Sequence, residues 1–307
     1  MRSLIAALSL LVLTMSVCPA HAGDYPDVPE PMVFDMVRPL GARAGELEVN
    51  TLAQTRLSGP DQVVEWAPEI ELAVADGFAV ELELPFEGTR VTDYKIGLQG
   101  TFGTLANGRG VHGLQYLGLY NRENTRWESS ALYLLGFRFD EHWSMMAIVG
   151  LGDVSSGRDG GGRLLLNQST FYDLSKASRV GLEINFKSGR AQEALIMPQL
   201  HHKLGGDLSL QAGLGAAHDA ELGWRPQAAC GSYASCDGLP CRPHPAPLAS
   251  IRRNADALAA KLERSDICIN AMRGVAQWSW REALRSLRFA EPDHASQVIA
   301  ALRVSVR

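Results

Sequence analysis

The stretch Val180-Gly181-Leu182-Glu183-Ile184-Asn185-Phe186-Lys187 places large apolar side chains at every even position and small or polar ones at every odd position. A period of two is the signature of a strand with one face toward an apolar medium and the other toward a polar one. The same alternation runs through Leu208, Leu210, Ala212 and Leu214 against Ser209, Gln211, Gly213 and Gly215. It recurs in Gly45-Glu46-Leu47-Glu48-Val49 and in Val80-Glu81-Leu82-Glu83-Leu84. Trp66, Ile70, Leu72 and Val74 share one parity, and Glu65, Glu69 and Glu71 share the other.

Working outward, such runs cover 45–56, 62–75, 78–87, 93–103, 111–121, 126–139, 142–152, 163–173, 178–188, 193–204, 206–217 and a last stretch from 223. Each is close to the roughly ten residues that a tilted strand needs to cross a bilayer. Twelve is an even number, as a bacterial barrel with both termini on one side requires. The mean hydropathy of −0.05 and net charge of −5 look soluble, but alternating strands average out in this way. The fold expected is an all-β, antiparallel, up-and-down outer-membrane β-barrel of about 12 strands over 45–229. A periplasmic β-sandwich shares the alternation, yet its strands are usually shorter.

The links after the second, sixth, eighth and tenth runs are tight, as periplasmic turns are. The link from Thr104 to Gly110 is a long exception. Trp66, Tyr94, Tyr120, Trp127, Phe139, Trp143, Phe171 and Tyr172 fall near run ends, where interfacial girdles sit.

Residues 1–22 read as a signal peptide: Arg2, an apolar run from Leu4 to Val17, and the small-x-small site Ala20-His21-Ala22. Residues 23–44, with Pro26, Pro29, Pro31 and Pro39, read as an extended periplasmic lead-in. After Ala229 the alternation stops. Residues 230–307 form an atypical tail rich in Cys, Pro and Arg, read as irregular or helical, with Cys230, Cys236, Cys241 and Cys268. A disulfide-bonded domain fits an oxidising compartment, while a zinc site with His244 lacks the paired C-x-x-C spacing. The third reading, preferred here, is a translated frameshift. The neighbouring frame across 230–237 permits a short strand followed by a stop.

Catalytic signals are absent: no P-loop, nucleophile elbow or zinc-protease motif occurs. The adjacent His201 and His202 would point to opposite faces of a strand. A barrel lipase needs a serine and a histidine in reach, but strand counting sets His112 and Ser129 at opposite membrane depths. No enzyme, cofactor, metal or nucleic-acid partner is expected; lipid and small solutes are. The distinctive feature is an acidic inner parity. Glu46, Glu48, Glu65, Glu69, Glu71, Glu81 and Glu83 face the lumen, joined by Lys95, Arg138, Glu183 and Lys187. Either the carboxylates line an open, cation-favouring pore, or they pair with Lys95, Arg138 and Lys187 in a filled interior.

Gly45-Glu46-Leu47-Glu48-Val49, Glu65-Trp66-Ala67-Pro68-Glu69-Ile70-Glu71-Leu72, Asp76-Gly77-Phe78-Ala79-Val80-Glu81 and Glu83-Leu84-Pro85-Phe86-Glu87 resemble outer-membrane barrels of the phenol-degradation-pathway (MetA-like) transporter type. The likeness spans roughly residues 40 to 229. It implies a passive small-molecule channel with no catalytic residues. The alternative is a structural barrel that binds a surface partner through its external loops. Sequencing genomic DNA across codons 224 to 240 tests the frameshift: a single-base change opening the neighbouring frame is expected, and an intact present frame overturns it.

Overall fold

The computed structural model describes residues 25–60, 62–154, 162–189, 192–205 and 208–235. The signal peptide, all of the tail beyond Ser235 and most of the 153–162 link lie outside them. Twelve barrel strands are present. These are β1 (Leu47–Arg56), β2 (Glu65–Ala75), β3 (Phe78–Glu83, resumed at Phe86–Glu87), β4 (Arg90–Val91, resumed as Asp93–Leu105), β5 (Gly110–Asn121) and β6 (Arg126–Arg138). Then come β7 (Trp143–Gly152), β8 (Arg163–Asp173), β9 (Ser178–Lys187), β10 (Glu193–Gly205), β11 (Leu208–Asp219) and β12 (Gly223–Ser235). Leu84-Pro85 interrupts β3, because proline offers no N–H to the ladder.

Each strand pairs antiparallel with its sequence neighbours, and β12 returns to β1 with a register from Glu48↔Ser235 to Arg56↔Gln227. Closure leaves no edge, the condition for a sheet in lipid. The described residues contain no helix. The boundary at 229 is therefore corrected. The residues Cys230 to Ser235 in the present frame continue the last strand, and closure needs no change of frame. The alternation weakens there only because the outward side chains, Ala228, Cys230, Ser232 and Ala234, are small or weakly polar.

Outward residues confirm the facing. In β9, Val180, Leu182 and Ile184 are exposed while Glu183 is fully buried. Trp127, Phe139, Trp143 and Trp224 are exposed near strand ends, consistent with aromatic girdles. Phe171 departs from the girdle expectation: it points inward and is fully buried. The long exception between β4 and β5 also disappears. Only residues 106–109 connect them; Ala106 and Asn107 hold φ of 50° and 58°, and Gly108 N–H donates to Leu105 O at 3.1 Å. Two successive positive φ values make a tight type I′ hairpin, whose twist matches that of the strands.

The end carrying the links 76–77, 106–109, 139–142 and 174–177 is called the turn end below, and the opposite one the loop end. The hydrophobic core extends from the turn end through the middle of the lumen, reaching toward the loop end at Leu195 and Ala217, and is built partly from residues before the first strand. Val28, Met36 and Leu40 pack on Val111, Leu132, Leu134, Met146, Ile148 and Phe171. Met32 packs on Leu195, Met197, Ala217 and Ala229. The wall makes room for this segment with glycine. A Cβ on Gly97 would lie 2.5 Å from Val37 Cγ2, and one on Gly213 would lie 2.4 Å from Met32 Cε.

Valine at both glycines overpacks the lumen, an effect of about 1–3 kcal/mol per site, and the segment yields before the wall. Limited proteolysis of the detergent-solubilised Gly97→Val/Gly213→Val variant should cut between residues 25 and 44 at least about tenfold faster, since about 1.4 kcal/mol is a factor of ten. Unchanged protection would show that these contacts do not hold the segment.

Candidate functional site

The residues before β1 settle the lumen. Residues 25–44 are not an extended periplasmic lead-in, and that expectation is corrected. They contact inward side chains on strands all around the circle and so occupy the interior as a plug. The physical reason is the composition between the prolines. Val28, Met32, Met36, Val37 and Leu40 gain by burial, and backbone without regular structure needs hydrogen-bond partners once buried.

The lumen side chains supply those partners. Glu183 accepts backbone N–H from Met32 (2.9 Å), Val33 (3.0 Å) and Phe34 (2.6 Å). Gln115 Oε1 accepts Val37 N–H at 3.1 Å, and its Nε2 donates to Asp35 O at 2.9 Å. Gln99 Nε2 donates to Arg38 O at 2.6 Å. Arg138 Nη1 donates to Asp27 O at 2.7 Å, and Arg179 pairs with the Asp27 carboxylate at 3.2 Å. Asp27 and Gly41 both contact turn-end residues, and residues 32–35 reach mid-lumen. The plug is a loop that enters and returns by the turn end.

Its charges matter as much as its backbone. Arg38 lies 3.0 Å from Glu48, 3.3 Å from Glu46 and 3.7 Å from Glu71. Lys95 contacts Asp35 of the plug together with Glu83, and Glu81 at 3.0 Å. Of the cations expected to pair with lumen glutamates, Lys95 does so. Arg138 instead pairs with Asp173, and Lys187 with Glu193 at 3.4 Å. Both basic residues lie toward strand ends, too far along their strands to reach the β1–β3 glutamates. Glu65 takes Gln54 Nε2 at 3.0 Å. Glu69, inward on β2, joins the cluster of Asp35, Glu81 and Glu83, whose ligand oxygens all lie within 4.8 Å of one another. That spacing would suit a divalent ion bound through oxygen, but the Lys95 ammonium already lies against three of these carboxylates.

The residues missed by reading the sequence are Arg38, Asp35 and Glu30. The available signal was a lone arginine among apolar residues in a supposedly solvated linker. Burial, then the nearby Glu48 carboxylate, pushes Glu30 up to about 8.

A space of about 790 Å³, with an adjoining one of about 440 Å³, runs from the loop end down beside the plug as far as Glu48, Gln211, Ser232 and Tyr233 on β1, β11 and β12. Val33, Phe34 and Asp35 form its floor, and Glu65, Glu69, Leu117, Glu128 and Leu165 stand in its wall. Eleven carboxylates and four cationic side chains line it among the described residues.

Elsewhere the proposed pairings are resolved by register. His112 faces Leu135 and Ser129 faces Gly118, six positions apart on the β5–β6 ladder, so they cannot form a dyad. His201 is buried and bonds Gln199 at 3.0 Å, while His202 bonds Ser178 Oγ at 2.8 Å, as opposite facing requires. Among the described residues no carboxylate hydrogen-bonds His202, so this serine–histidine pair lacks the third group of a hydrolase. Cys230 is an exposed free thiol on β12; the other would-be zinc ligands lie outside the described residues.

The class defined by this geometry is the lipid-facing, internally plugged barrel. No protein-family profile matches the chain, and no curated protein matches it. Among solved structures, the COG4313 outer-membrane channel from Pseudomonas putida F1 aligns over 69% of this chain and 98% of its own, at 13% identity and a TM-score of 0.50. The KdgM porin (10% identity, 61% and 98% coverage, TM-score 0.47) and the NanC porin (9%, 61% and 98%, 0.49) are also similar. The fold is thus one shared with the COG4313 channel.

The elevated Glu30 has a pH consequence. Docked it titrates at about 8, and released at about 4.5. Docking therefore takes up a proton between these limits and weakens as pH rises from about 4.5 to about 8, changing little outside that window. Proteolytic release of residues 25–44 should accelerate across this range in the wild type and lose part of its slope in Glu30→Gln, the Asp35 carboxyl, also raised by burial, keeping the rest. A wild-type profile that is flat, or that slows with rising pH, would contradict the assignment.

Proposed function

We propose that the protein is a passive outer-membrane channel for small molecules, of the MetA-like transporter kind, described here with its N-terminal plug docked. The observation that carries the reading is the uneven filling of the lumen. A water-accessible space with carboxylates in its wall runs from the loop end down one side of the plug, along β1, β11 and β12, and the separate, polar-bonded segment fills much of the remaining lumen. A rigid structural barrel would fill its whole interior with its own wall side chains. Here the closing element is held largely by hydrogen bonds and ion pairs, which can be exchanged for water without breaking a strand ladder.

The outer-membrane placement is supported by the exposed apolar belt and by the fold shared with channels. A non-enzymatic role agrees with the similar solved structure being an outer-membrane channel. The second reading, a structural barrel presenting its loops to a partner, is favoured by one feature only, the plug that occupies much of the lumen.

Planar-bilayer recording separates the two. The full chain should show low, intermittent conductance, and removal of residues 25–42 should raise it several-fold with a reversal potential that favours cations. A variant lacking the plug, folded as judged by its heat-modifiable gel mobility, that conducts no ions would sink the channel reading.

A further inference from the structure

The channel reading leaves open where a solute passes while the plug is docked. We propose that small ions and polar solutes pass with the plug still seated, along a lane between the plug and the β1–β12–β11 side of the wall, with the Arg38–Glu48 contact and Tyr233 at its narrow foot. The inference rests on the channel reading for there being passage at all, and on the packing of the lumen for the route.

The plug is held unequally around the circle. From Asp27 to Gly41 its backbone hydrogen bonds go to Glu183 on β9, Gln115 on β5, Gln99 and Thr101 on β4 and Arg138 on β6. Among the described residues none goes to β1, β11 or β12. Its apolar side chains follow the same bias, since Val28, Met36 and Leu40 lie against Leu132, Leu134, Met146 and Phe171 on β6 to β8. On the opposite side Met32 alone reaches across, over Gly213 and Ala229. One ladder row nearer the turn end the inward positions are Gln211, Gly231 and Leu52. Gly231 offers no side chain there, and the open space continues past this row to Tyr233 and Glu48. Glu48 is the second residue of β1, so on this side the space ends close to the turn end.

The lining explains why the plug does not close over it. Gln54, Asn50 and Gln211 present neutral amides along the space, and Gln227 extends the series by donating to Gln54 Oε1 at 2.9 Å. Apolar side chains pressed on such groups would remove their water without replacing its hydrogen bonds, whereas bridging water satisfies them at little cost. At the foot, Arg38 lies 3.0 Å from Glu48, Ser235 Oγ donates to the same carboxylate at 3.1 Å, and Tyr233 hydrogen-bonds Ser209 within the wall. Opening the foot therefore takes only side-chain rearrangement. Every strand ladder and every backbone anchor of the plug can persist while it happens.

The test is planar-bilayer recording of the full chain against two opposed variants. Gln211→Trp fills the space over Gly231, and Tyr233→Ala widens the foot. Since pore width sets conduction, Gln211→Trp should lower full-chain conductance at least about fivefold and Tyr233→Ala should raise it about twofold. In both variants protease should cut between residues 25 and 44 as slowly as in the wild type, because the plug stays seated. With residues 25–42 removed, Gln211→Trp should change conductance little, since the lumen is then open elsewhere. Should Gln211→Trp lack the heat-modifiable gel mobility of a folded barrel, Gly231→Leu places bulk in the same row. Full-chain conductance that ignores the block, or a Tyr233→Ala gain that comes only with faster cutting of the plug, overturns the lane. Conductance that appears only after plug removal overturns the lane and leaves the channel reading; no conductance even then removes the channel reading and the lane with it.

Discussion

Everything inside this barrel follows from the difficulty of enclosing carboxylates. Glu48, Glu71, Glu81 and Glu183 are almost wholly withdrawn from solvent, and a buried carboxylate without partners is among the least favourable groups a protein can hold. The wall supplies one central cation, Lys95, which cannot answer for all of them. Wall amides such as Asn50 and Asn185 answer for some of the others, and the N-terminal segment adds further partners. Arg38 spans Glu46, Glu48 and Glu71, and three consecutive backbone N–H groups converge on Glu183. Charge-assisted hydrogen bonds of this kind are about twice as strong as neutral ones. The plug and the inner wall are thus complementary in a chemical sense: neither is well satisfied alone.

That complementarity also explains the division of the lumen. Where the segment reaches, apolar contacts to Leu132, Leu134, Met146 and Phe171 make a dry core. Where it does not reach, the carboxylates remain near water and need no internal partner. The floor formed by residues 30–36 is the boundary between the two regimes. Because Asp35 and Glu30 stand on that floor beside Lys95 and Glu48, the charge state of the open space and the docking of the plug are linked through the same few side chains.

The wall answers to a different constraint, imposed from outside. Lipid leaves no backbone group unsatisfied, so the sheet must close, and β12 meets β1 through a full ladder. Its outward residues only need to be apolar or small, which is why the weakly patterned stretch from Ala228 to Ala234 serves as well as Leu182 and Ile184 do in β9. The large apolar side chains carry a visible alternation; the small ones close the barrel without one.

Sequence alone determined the wall: strand number, span, facing and the inward parity of Glu48, Glu69, Glu71, Glu81, Glu83 and Glu183. Each of these is a local property, since period two and turn residues are written within about ten residues. The hairpin at 106–109 escaped because positive φ at Ala106 and Asn107 has no glycine to announce it at those two positions. The last six residues of β12 escaped because their facing has little hydrophobic contrast. Only the tertiary structure decided what fills the lumen. Arg38 meets Glu71, and Met32 meets Glu183, across separations in sequence that no periodicity encodes. An irregular, proline-bearing segment has no period of its own to read; its conformation is set by the groups it must satisfy, and those come together only when the barrel closes around it.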